Sequence, residues 1–204
     1  MEMTSLIISI VSAIVAVLSV IISFVVMQIS KKTLERHHES LRREKALELL
    51  LHWGTTLHKN SALVRKYVEE LDKTQTEQLY KQEEITFDTG SKELCTKIKK
   101  LLDVKAAENS ENKLTPAECT ELRWLVVTYL NKLEGILIAW RHSIADTKII
   151  EEQFSYLINP DTEHEVLKEF RQAAGGNKSY PSIALFCKHM NDKYKIPIDR
   201  KQSL

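Results

Sequence analysis

The stretch that most constrains this chain is Leu6 to Ile29, LIISIVSAIVAVLSVIISFVVMQI, with no charged residue between Glu2 and Lys31. As a helix, these 24 residues span roughly 36 Å, more than the ~30 Å hydrocarbon core of a bilayer. A buried helix of a soluble core is shorter and keeps a polar edge. A cleaved signal peptide needs a basic start, a shorter apolar core and small residues at a cleavage site. This chain starts Met-Glu-Met-Thr and follows the run with Lys31-Lys32. The stretch therefore predicts a retained membrane anchor over residues 1–30. It predicts one span only, because no later stretch is long and apolar enough.

One face of the anchor is chemically distinct. Ser5, Ser9, Ser12, Ala16, Ser19 and Ser23 recur at spacings of 4, 3, 4, 3 and 4, a heptad-like period that keeps them on one stripe of a helix. Small residues let transmembrane helices approach closely, and serine hydroxyls bond across the contact. Serine is also tolerated in membranes by bonding back to its own helix. The stripe predicts self-association into a homo-oligomer; a tight bundle and a hydroxyl-lined pore both stay open.

Orientation follows from charge. No Lys or Arg precedes the run, whereas residues 31–45 hold six basic residues (Lys31, Lys32, Arg36, Arg42, Arg43, Lys45) against three acidic ones (Glu35, Glu39, Glu44). The positive-inside rule places this basic juxtamembrane helix and all that follows in the cytoplasm, with the N-terminus outside. Its cations are expected at anionic headgroups. Leu34 and Leu41, seven apart, hint at a heptad seam, but His37, Glu44 and Glu48 fill its other positions.

Over the whole chain 28% of residues are charged, and there are only five Gly and four Pro. These values favour an all-α domain over residues 46–195, followed by a loose tail, 196–204. A net charge of +1 does not suggest DNA or RNA duplex binding. Cys95, Cys119 and Cys187, odd in number and far apart, suit a reducing cytosol rather than a disulfide frame. Apolar periodicity predicts helices over Ala46–Leu71 (with Gly54 as a bend), Ser91–Val104, Thr115–His142, from Asp146 or Thr147 to just before Pro160, Asp161–Ala173, and from Pro181 onward. Asp72–Gly90 reads as polar and broken, and Lys105–Leu114 as a loop. Thr115-Pro116-Ala117-Glu118 is a capping box with Pro at the first helical position. The helix it opens is apolar on more than one side, which predicts a central place in the domain.

No catalytic signature is present: no G-x-S-x-G, H-E-x-x-H, G-x-G-x-x-G or paired Cys-x-x-Cys. No enzyme, metal or cofactor is expected. His37-His38 read as a solvated face, His52 and His58 are spaced wrongly for one helix face, and His164 reads as surface. Gly175-Gly176-Asn177-Lys178-Ser179 lacks the spacing of a phosphate loop, although its amides and Lys178 suit an anion. Asn131, Glu134 and Arg141 share a stripe of an otherwise apolar helix. One reading is a structural network joining helices. The other is a polar ligand pocket at a subunit interface in which Lys132, Arg141 and His142 meet phosphates and Trp124 or Trp140 stacks on a base.

Tyr129-Leu130-Asn131-x-Leu133-Glu134, Arg141-His142-x-Ile144-x-Asp146-x-x-Ile149, Phe154, Arg171 and Tyr180-Pro181 before a short helix resemble the pattern of the bacterial domain-of-unknown-function family 4760, which is similar to phage abortive-infection proteins. The match covers about a third of the chain, and the Gly175-Gly176 loop departs from it. The resemblance implies an N-terminal membrane helix, a helical cytosolic domain at the bacterial inner membrane, and antiphage defence. The architecture also resembles a membrane effector of type III CRISPR systems, in which a helical cytosolic domain binds a cyclic oligoadenylate and disturbs its transmembrane helices. A ligand-sensing effector with a cyclic nucleotide ligand is thus one expectation. A membrane-tethered scaffold that recruits a cytosolic partner protein is the other.

Overall fold

The computed structural model describes residues 2–103, 112–159 and 164–194; in α1 the side chains of residues 2 and 4–17 are not described. The chain is mostly helical. Helix α1 spans Glu2–Thr56 without a break, passing through Gly54. Helices α2 (Ser61–Glu69), α3 (Lys73–Lys81) and α4 (Lys92–Leu101) follow, then α5 (Pro116–Arg141), α6 (Thr147–Phe154), α7 (Lys168–Ala173) and α8 (Pro181–Tyr194). Two antiparallel strand pairs tie down connections. Strand β1 (Ile85–Thr86) pairs with β2 (Lys113–Leu114), setting Ile85 opposite Leu114, and β3 (Ile158–Asn159) pairs with β4 (His164–Glu165).

The core is built around α5. Thr115 accepts from the Glu118 amide while the Glu118 carboxylate accepts from the Thr115 N–H at 2.6 Å, closing the expected capping box with Pro116 at the start. Cys119, Leu122, Val126, Tyr129, Leu130, Leu133, Leu137 and Trp140 of α5 are buried. They are covered by α8, α2, α3 and α6. The end of α1 joins this core through Ala46 and Trp53. The Trp53 ring meets Tyr129 and Phe154 edge-on, each with centroids 5.4 Å apart, an arrangement worth about 0.5–1.5 kcal/mol per pair beyond the area buried.

Several sequence expectations need correction. Ala46–Leu71 is not one helix: α1 stops at Thr56 and α2 starts at Ser61. The Thr55 and Thr56 hydroxyls fold back onto the Leu51 and His52 carbonyls, and the Lys132 ammonium donates to the Thr56 carbonyl, so the helix end is held in place. Asp72–Gly90 is not merely broken. It holds α3, whose Asp72 and Gln75 form a reciprocal capping box. Lys113 and Leu114 are strand, not loop; residues 104–111 of that segment lie outside the described residues. The expected helix Asp161–Ala173 begins only at Lys168, because His164–Glu165 pair with β3. The tail 196–204 lies outside the described residues.

Every described side chain of α1 from Leu18 to Glu44 is exposed, including Val20, Ile21, Ile22, Phe24, Val25, Val26, Met27 and Ile29. Among the described residues no helix is long and apolar enough to cross a membrane. The described apolar side chains run from Leu18 to Ile29, a rise of roughly 18 Å. Of the serine stripe, Ser19 and Ser23 lie on the exposed helix, while Ser5, Ser9, Ser12 and Ala16 fall outside the described side chains.

Trp53 is the main link between α1 and the core. The Trp53→Ala variant should lower domain stability by about 3–5 kcal/mol, as expected for loss of a buried large ring. The check is a shift of the denaturant midpoint at unchanged slope, followed by Tyr129 and Phe154 mobility.

Candidate functional site

The α5–α6–α8 corner holds three of the residues picked out from the sequence, Glu134, Trp140 and Arg141. Glu134, on the third turn from the end of α5, reaches the start of α8. Its carboxylate accepts from the Ser182 N–H at 2.8 Å and the Ile183 N–H at 2.9 Å. A carboxylate in that position satisfies two amides that no helical carbonyl can reach, and it sits at the positive end of the helix dipole. Glu134 therefore fixes α8 onto α5, as in the structural-network reading.

Trp140 is buried and packs edge-on against Phe186, with centroids 5.0 Å apart. Its indole N–H donates to Glu151 of α6 at 3.1 Å. Both the ring face and the N–H are engaged in the fold, so Trp140 is a core residue here and not a stacking platform. Glu151 also lies 3.1 Å from the His189 ring nitrogen and 2.7 Å from the Lys193 ammonium, both on α8. Burial works to raise the Glu151 carboxyl, yet hydrogen bonds from Lys193 and Trp140, with the Lys193 and His189 charges, outweigh it and hold the group below its ordinary value.

The other sequence-selected residues disperse. Lys132 is drawn to the Thr56 carbonyl on α1. Asn131 and His142 are exposed. Trp124 is 61% exposed, sixteen residues before Trp140 on the same helix, a rise of roughly 24 Å. Arg141 and the loop around Lys178 do converge. Arg141 at the end of α5, Glu165 of β4, Asn177 in the turn Gly176–Lys178, and Pro181, Ala184, Leu185 and Lys188 on α8 line an open groove of about 440 Å³. Glu165 is bound by Arg171 at 3.0 Å, and Arg171 also donates to the Val166 carbonyl at 2.9 Å. Lys188 was not picked out from the sequence. Its spacing from Leu185 and Ala184 on one helix face carried the signal, but only the α5–α8 packing sets that face beside Arg141.

The groove is joined to α1 by five residues. After Arg141 the chain turns through Ser143, whose φ of 53° is left-handed, and reaches Asp146. There the Asp146 N–H donates to the Arg42 carbonyl of α1 at 3.0 Å. The Asp146 carboxylate accepts from the Lys148 and Ile149 amides, capping α6, and lies 3.5 Å from the Arg43 guanidinium. One residue thus starts α6 and holds α1 where α1 leaves the domain.

The three thiols are buried. Burial pushes Cys119 up to about 12 and Cys187 up to about 11, so neither supplies a thiolate nucleophile at neutral pH. Among the described residues no group of His, Cys, Asp or Glu is arranged to hold a metal ion. Comparison with known proteins adds nothing to this geometry: no family model, no curated protein and no solved structure matches the chain.

Two outcomes follow from the carboxylates. Glu134→Ala should cost about 2–3 kcal/mol, two charge-assisted hydrogen bonds at a helix start, and Glu134→Gln less, read from the denaturant midpoint. Glu151, depressed in the fold, contributes stability above its unfolded value near 4.5 and loses it as pH falls through the lower folded value. Stability measured from pH 6 down to pH 3 should therefore drop less steeply in Glu151→Gln than in the parent chain.

Proposed function

We propose that this chain is a single-pass, membrane-anchored antiphage effector whose helical domain senses a cytosolic ligand and rearranges its own membrane helices. In this reading residues 1–30 cross the bacterial inner membrane with the N-terminus outside, the domain lies in the cytoplasm, and copies associate through the serine stripe. The observation that carries it is the unbroken helix α1, which runs from the charge-free apolar stretch into the core, where Asp146 and Trp53 grip it. A continuous helix passes on a change in the domain, whereas a flexible linker would absorb it. The exposed apolar side chains from Leu18 to Ile29 find no protein cover, and lipid supplies what water does not. The ligand would have to bind one arrangement of the helices more tightly than another. A cyclic oligonucleotide such as cyclic oligoadenylate is the ligand class we favour, on the architectural resemblance.

The geometry refines the role of the basic segment. Lys31, Lys32 and Arg36 fall within roughly 10 Å of Ile29 along α1, but Arg42 and Arg43 lie roughly 20 Å away. That is beyond the ~8 Å screening length at physiological salt. Arg43 instead faces Asp146 and Glu39. By that criterion headgroup attraction in this reading rests chiefly on Lys31 and Lys32, with Arg36 just beyond the screening length.

A second reading, a membrane-tethered scaffold for a partner protein, draws on the exposed Trp124 beside the open α5 positions Asn131, Gly135 and Ile138. One swap separates the two. Residues 1–30 are replaced by an unrelated single-span anchor, and bacteria carrying each form are challenged with phage while a potential-sensitive dye is followed. The effector reading expects the parent chain to depolarise the membrane and the swapped chain to fail. Unchanged potential with the parent chain sinks it, and full activity of the swapped chain favours the scaffold.

A further inference from the structure

We propose that the groove between the end of α5 and the first turns of α8 binds a phosphate-bearing ligand. This deepens the ligand-sensing reading by naming the site and the chemistry it recognises, while binding itself requires no membrane. The groove brings together Arg141, Asn177 and Lys188. Its one carboxylate, Glu165, is answered from beneath by Arg171, which is 4% exposed and 3.0 Å away. That leaves Arg141 and Lys188, neither of which has an ion-pair or hydrogen-bond partner among the described residues. The groove is therefore cationic. The α8 amides play no part, because Glu134 already takes those of Ser182 and Ile183.

The residue types suit a phosphate ester better than a carboxylate or a bare ion. The Arg141 fork offers parallel donors to two phosphate oxygens, and Lys188 offers a point charge. Asn177 adds an amide that can donate or accept. Between them Leu185, 42% exposed, forms an apolar strip with Ala184 and Pro181 against which a sugar or base can lie. A volume of about 440 Å³ falls in the range of small-molecule sites, roughly 300–1,000 Å³, and is far larger than one inorganic phosphate needs. A soluble nucleotide and a phospholipid headgroup share this chemistry. The five-residue turn from Arg141 to Asp146 gives the bound phosphate a short route to α1.

The test uses the full chain in detergent micelles at low salt, titrated by calorimetry with ADP, inorganic tripolyphosphate and short-chain phosphatidylglycerol. At least one probe should bind. Arg141→Gln and Lys188→Gln should each weaken its Kd about tenfold, and the double variant about a hundredfold, as for loss of charge-assisted hydrogen bonds. Lys66→Gln, on α2 outside the groove, should leave the Kd unchanged. Circular dichroism on each variant verifies the fold. Binding of ADP or tripolyphosphate assigns the site to a soluble ligand, and binding of phosphatidylglycerol alone to a headgroup; both support it. No binding of any probe, an unchanged Kd in the double variant, or an equal loss in Lys66→Gln overturns it. Groove binding that leaves proteoliposomes sealed would uphold the site while removing the effector reading.

Discussion

The structure depends on a helix that water cannot solvate. Helix α5 carries apolar side chains around most of its circumference, so its 26 residues are stable only when enclosed. The remaining helices of the domain are short, 6 to 14 residues after α1, and helices of that length are marginal on their own. They persist because each covers part of α5 or covers a helix that does. Truncating α5 contacts therefore unsettles α2, α3, α6 and α8 together.

Polar groups within this enclosure are used as joints. Glu134 pins the start of α8, Glu151 pins its end through His189 and Lys193, and Asp146 pins both α6 and α1. Each carboxylate has at least two donors, which is the condition under which a partly buried charge stabilises rather than costs. Three joints on one corner make the α5–α6–α8 unit stiffer than hydrophobic packing alone would. A stiff unit fixes the backbone positions from which Arg141 and Lys188 project, while their exposed side chains hold no partner among the described residues.

Much of the helical content was legible in the sequence because it rests on local signals. Thr115-Pro116-x-Glu118, Asp146 before Thr147, and Pro181 each start a helix as read. Asp72-x-x-Gln75 carried the same kind of signal and was overlooked, hidden by the polar residues of α3 that follow it. The strand pairs were not legible. Two residues per strand leave no alternation to detect, and the pairing of Ile85 with Leu114 joins positions far apart in the chain. The site was half legible for a similar reason. Helical spacing placed Glu134 and Arg141 on one stripe, but only the α8 packing decides that Glu134 caps a helix while Arg141 lines a groove with Lys188. Trp140, read as one of two rings that could stack on a base, is taken up by the fold instead, with its N–H on Glu151 and its ring against Phe186.

In the proposed effector, the unbroken α1 would turn a small motion at that corner into a larger one. From Arg42, where Asp146 holds it, to Leu18 the helix rises roughly 36 Å. A change of about 10° at the Asp146 joint moves the far end by roughly 6 Å, more than half the 8–10 Å between packed helix axes. Helices in contact through small residues cannot follow such a shift by sliding continuously, since close packing gives discrete arrangements rather than a continuum. In the proposed effector, a ligand would shift the bundle only by as much as its affinity differs between the two settings of the Arg141–Asp146 turn. In that proposal the joint at Asp146, where the α5–α6 turn meets Arg42 and Arg43, is the place through which binding would be felt along α1.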